Sequence, residues 1–147
     1  MDSSPQLRLA AWAFAGATIF GSAMSMRNKV PGEPLGIHLP LSIRTALLAG
    51  WGAGVAAPWP MPVAALAVSR RSGVTTGTRA GLVCAGIGAV CIAGTLVEPV
   101  TRRPRAWTKG IGAAILANVA TSVAMIAIGL GSAREARAHQ GRSSTAG

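Results

Sequence analysis

The sequence predicts an all-α integral membrane protein, a four-helix bundle whose second helix is kinked or broken at Pro58, Pro60 and Pro62. Half of the 147 residues are hydrophobic and 12% are charged, against roughly 25% charged in soluble domains. The charges fall in short clusters separated by four long uncharged runs. Each run approaches or exceeds the ~20 apolar residues with which a helix crosses ~30 Å of hydrocarbon. Barrel-strand alternation is missing, and the chain is too short for the strands a closed barrel needs.

The first run, residues 9–26, lies between Arg8 and Arg27, whose long side chains can reach the headgroups at either end. It reads as a retained span. Asp2 and a single Arg8 make a weak signal-peptide start, and Gly21-Ser22-Ala23 is a poor cleavage site. The second run, residues 45–69, contains the three prolines around Trp59. Each interior proline removes a helical hydrogen bond and crowds the preceding turn, so the span either kinks or ends near Ala57 and restarts at Pro62. The third run, residues 80–97, ends at Glu98-Pro99, and the fourth, residues 110–133, follows Lys109. Together they make one four-span domain over residues 1–133. Residues 134–147 are Ser/Gly-rich and polar and read as a fraying helix end followed by disorder.

A formal charge of +10 would suggest nucleic acid in a soluble protein. Here the basic residues flank apolar spans, so membrane lipids with anionic headgroups are the expected partners and nucleic acid is not. Four spans place seven Lys and Arg on each side of the membrane. The bias that normally sets orientation is therefore zero, which is compatible with an antiparallel homodimer. Cys84 and Cys91 share one span, where seven residues of helix separate them by ~10 Å, beyond the ~7 Å reach of a disulfide. No His/Cys cluster has zinc spacing, and neither a metal nor another cofactor is expected. Twelve arginines against two lysines, with abundant Ala and Gly, point to a GC-rich bacterial genome and hence to the bacterial plasma membrane.

Small and polar residues form one stripe on each helix. In the third span the stripe is Gly81, Cys84, Gly88, Cys91, Thr95 and Glu98, and in the fourth it is Ala114, Asn118, Thr121, Ser122, Met125 and Gly129. The first span carries Ala11, Ala15, Thr18, Ser22 and Ser25, and the second Gly50, Gly54 and Ala57. Helices in lipid pack through small residues that let backbones approach, so these faces are expected to point inward. The polar members Thr95, Asn118, Thr121 and Ser122 either knot the helices together by hydrogen bonds or line a binding cavity.

Glu98 is the acid at the end of a span and lies on an inward stripe, which marks it as a candidate acid or base. Arg102 and Arg103 lie one turn on and offer it an ion pair, and Arg102 is also a candidate ligand contact. His38, in the loop that emerges on the same side, is the candidate catalytic partner. No nucleotide, zinc-protease or nucleophile-elbow motif occurs. Three classes remain: an enzyme or binder acting on a lipophilic small molecule, a transporter or channel built as a homodimer, and an accessory subunit of a larger complex. Charge is almost absent inside the spans, which disfavours ion coupling and leaves an apolar substrate as the leading expectation.

Overall fold

A computed structural model describes residues 5–37, 40–49, 51–70 and 74–144. Three helices dominate: α1 (Pro5–Arg27), α4 (Val74–Val97) and α5 (Lys109–Ser144). Each is long and apolar enough to cross a membrane. Between the first two lie α2 (Ile43–Leu48) and α3 (Pro60–Ser69). No strand forms among the described residues. The helix α5 covers 36 residues, or roughly 54 Å. It therefore runs on through most of the segment that the sequence marks as a polar tail.

The second apolar run is broken rather than kinked, one of the two expectations, but its first helix ends at Leu48 and not near Ala57. Two short helices result, with non-helical backbone at Ala49 and over residues 51–59, and Gly50 lies outside the described residues. Ser42 caps α2, its side chain accepting from Thr45 N–H at 3.1 Å. The helix closes when Trp51 N–H returns to Ala46 O at 3.0 Å, a bond that terminates helices before they can propagate. The prolines then start α3 instead of kinking a longer helix. Pro60 sits at its first position and Pro62 in its first turn, where helical N–H groups have no intrahelical partner to lose. With 10 residues, α3 is about 15 Å long, half a bilayer.

Packing contacts run from α1 to α5, from α5 to α4, from α4 to α3 and from α3 back to α1. The short helix thus completes a ring with the three long ones. It packs its buried Ala65, with Met61 and Leu66, into a core shared with Leu7, Ala11 and Phe14 of α1, Cys84 and Cys91 of α4, and Met125 of α5. The non-helical segment completes the other end. There Val55 packs against Ile111, Ala114 and Ile115 of α5, with Met24 of α1 and Val100 alongside.

The inward stripes of the three long helices appear largely as the sequence predicts. Gly81, Cys84, Gly88, Cys91 and Thr95 of α4 and Glu98 just beyond it are buried, as are Ala114, Asn118, Ser122, Met125 and Gly129 of α5 and Ala11, Ala15, Thr18, Ser22 and Ser25 of α1. Thr121 is half-buried, and Gly50 of the second run lies outside the described residues. The reverse faces carry exposed Leu9, Ile19, Leu82, Val83, Val90, Leu96, Leu116 and Val123. Large apolar side chains directed outward all round the ring match a hydrocarbon environment. The pair α4–α5 makes the most extensive contact, and within it Gly81 packs closely against Gly129. A methyl group on either would strike the other's carbonyl oxygen.

Gly81→Val is expected to cost about 1–3 kcal/mol, because the obstructing atoms are backbone and yield only if the helices separate. Gly86, on the same helix, has open space around it. Gly86→Ala should be neutral or stabilising by up to ~1 kcal/mol. Thermal unfolding of the two variants in detergent checks the contrast.

Candidate functional site

Interrupting the second run leaves space that a continuous helix would fill. A pocket of about 170 Å³ occupies it, lined by residues 51–54 and 56–58 of the segment, Met61 of α3, Val90, Cys91, Gly94 and Thr95 of α4, Glu98, and Asn118 of α5. The walls are largely apolar. Val90, Gly94 and Trp51 are exposed, so the mouth opens on the outer face of α4, where its apolar side chains meet the surroundings.

The polar groups form a short connected series. Thr95 Oγ1 donates to Cys91 O at 2.8 Å, and Asn118 Nδ2 donates to Thr95 Oγ1 at 2.9 Å. A hydroxyl has one proton. With that proton on the Cys91 carbonyl, Thr95 acts toward Asn118 as an acceptor, and this fixes which end of the amide faces it. Asn118 Oδ1 is left buried without a hydrogen-bond partner among the described residues. Such an orphan costs about 1–3 kcal/mol unless something meets it.

Glu98 stands just past the end of α4, 7% exposed, with Oε2 accepting from Glu33 N–H at 3.1 Å. Burial pushes its carboxyl above the ordinary glutamate range. The hydrogen bond from Glu33 N–H pulls the other way, and the nearby Glu33 carboxyl adds to the upward shift. The ion pair that the sequence suggests does not form among the described residues. Arg102 instead donates from Nε to Leu96 O at 3.2 Å and is exposed. The acid is therefore buried without a neighbouring cation, an arrangement that favours its neutral form.

Of the sequence-derived candidates, the structure gathers Glu98, Thr95 and Asn118 around one pocket. Thr121 turns back onto its own helix, donating to Ala117 O at 2.8 Å. Ser122 is buried where α5 meets Gly88 of α4. Neither lines the pocket, and Arg102 borders a different depression beside Leu35 and Arg103. His38 lies outside the described residues. Among those residues no group of three or more His, Cys, Asp or Glu gathers as a metal site would require.

Sequence reasoning missed Trp51, Pro58, Met61, Val90 and Gly94 as pocket residues. A signal for the first two was present: the glycine-rich stretch 50–54 runs straight into the three prolines. Two helix-poor clusters in tandem imply a long interruption, where one proline alone implies a kink. Comparison of the chain with family models, with curated proteins and with solved structures finds no match.

The raised Glu98 value has a stability consequence with a definite sign. A carboxyl whose pKa is higher folded than unfolded is harmless while protonated in both states, and it opposes folding increasingly as pH rises through the unfolded and then the folded value. Glu98→Gln keeps an oxygen for Glu33 N–H and removes the charge. It should match the parent in acid and exceed it in thermal stability above the carboxylate range, as melting curves at pH 4 and pH ~8 in one detergent will read.

Proposed function

We propose that this is a multi-pass protein of the bacterial plasma membrane that binds a small lipophilic molecule in the pocket beside the interrupted segment. The observation that carries the reading is the pocket itself. It is apolar in most of its lining, holds a buried carboxyl and an unpartnered amide oxygen, and has its mouth on an outward apolar face of α4. Binding sites for small molecules combine this kind of apolar wall with a few convergent polar groups. In a bilayer, a mouth on that face receives a ligand from the hydrocarbon rather than from water. Lipids cover the remaining outer faces, and the polar end of α5, with Arg134, Arg137 and Arg142, emerges into the aqueous phase.

The topology that fits has four crossings, one made by α2, the non-helical segment and α3 together. Irregular backbone is tolerated at membrane depth where it is enclosed by protein or lines a cavity, and this segment does both. The volume suits a ligand of about benzene size, since apolar cavities of ~150 Å³ hold such molecules. Glu98 acts here as a polar anchor.

Gly94 supplies the test, because a side chain there has open space and no neighbour to displace. Gly94→Trp should close the mouth while leaving the fold intact. Native mass spectrometry of protein extracted gently from its host should find a small apolar molecule on the parent and lose it from the variant. Recovery of the parent without ligand but with a larger protein partner would replace this reading with that of an accessory subunit.

A further inference from the structure

The pocket's side-chain hydrogen-bonding capacity leans toward acceptors, and that defines its ligand more closely than size does. Apart from the second N–H of the Asn118 amide, the side-chain donors of the lining residues are engaged within the protein. Trp51 Nε1–H goes to Gly32 O at 3.2 Å, Asn118 Nδ2 to Thr95 Oγ1, the Thr95 hydroxyl to Cys91 O, and the Cys91 thiol to Met61 Sδ at 3.4 Å. What remains is chiefly acceptor capacity. Asn118 Oδ1 has no partner among the described residues, and Glu98 offers the oxygen that Glu33 N–H does not take. A carboxylate or phosphate ligand would meet like charge wherever Glu98 is ionised, whereas a bound cation favours that ionised form. A group with several N–H bonds and a positive charge would satisfy both acceptors and supply the cation that Glu98 lacks.

We infer that the pocket is a site for small lipophilic primary amines, bound as the ammonium ion with its N–H groups directed to Glu98 and Asn118 and its apolar body against Met61, Val90 and Pro58. The inference rests on the preceding reading of the pocket as a ligand site and adds the chemical class. Trp51 contributes an aromatic wall of the kind that cations favour. Among the described residues no competing cation faces Glu98, and Glu33, from the loop after α1, is the titratable group acting on it from another element. Arg102, on its own loop, points away to Leu96 O. The lining residues of α3, α5 and the interrupted segment carry no charge.

An isosteric series separates the headgroup from the body: benzylammonium, benzyl alcohol, benzoate and toluene, added to the full chain in detergent or nanodiscs and followed by Trp fluorescence and calorimetry. Benzylammonium should bind at least ~10-fold tighter than benzyl alcohol and toluene, as a charge-assisted hydrogen bond would give, and benzoate should bind worst. Glu98→Gln should erase the preference for the amine and leave toluene unchanged. The parent alone gives a second readout. An aliphatic amine stays charged through the acidic range, so amine affinity should fall as acid protonates Glu98 while toluene affinity stays flat. Equal affinity for amine and alcohol, or preference for benzoate, overturns the inference but keeps the lipophilic pocket. Failure of all four compounds, toluene included, overturns both.

Discussion

The structure depends on how the backbone of residues 51–59 is satisfied. A peptide group at membrane depth must find a partner within the protein, and a helix does this for every residue without outside help. Here the helix stops, and the partners are assembled singly. Trp51 and Gly52 N–H both return to Ala46 O, Trp59 N–H reaches Leu47 O, and Ala53 and Ala56 exchange bonds across a two-residue turn. The segment can be this irregular only because the long helices admit it closely. Gly21 of α1 lies against the Val55 carbonyl and Ala56, and Gly54 lies against Val30, Pro31 and Val100. The adjoining loops, the end of α4 and the pocket take their positions from this one enclosed stretch.

The polar interior follows a similar economy. Hydroxyls on the helices mostly return to their own backbone one turn earlier, as Thr18 does to Phe14 O, Ser22 to Thr18 O and Thr95 to Cys91 O. That arrangement neutralises them without tying one helix to another. Asn118 departs from this, since its bond to Thr95 joins α5 to α4, and the Cys91 thiol likewise joins α4 to α3 through Met61. Small residues do most of the joining, and polar bonds are concentrated at the end of the molecule where helical regularity is lost. Close glycine packing and unpaired polar groups are thus separated in space: glycine contacts between α4 and α5 near Gly81, and polar groups near Glu98.

Much of the helical framework was legible in the sequence because one rule dominates it. Charge cannot sit in hydrocarbon and small residues must face protein, so charge clusters mark the ends and stripes mark the inner faces. The α4 stripe from Gly81 to Glu98 is buried at every position read from spacing alone. The interrupted segment was less legible. Gly50, Gly54 and Ala57 have the spacing of a packing face, and that spacing carries the same appearance whether or not a helix is present. Thr121 and Ser122 show the limit for the site. They share a helix face with Asn118, but which of three adjacent polar groups reaches a cavity depends on where the neighbouring chain leaves room, and periodicity is silent about that.

The half-length of α3 makes the molecule mechanically uneven. In the half it occupies, all four walls are regular helices, and displacing one means separating packed side chains along its length. In the other half, one wall is a loop whose few hydrogen bonds are local and whose shape no helical ladder enforces. Compliance is concentrated there. Such a region opens at a lower free energy than the rest of the protein, and it is the wall of the pocket. The molecule is therefore a stiff cup with one yielding side.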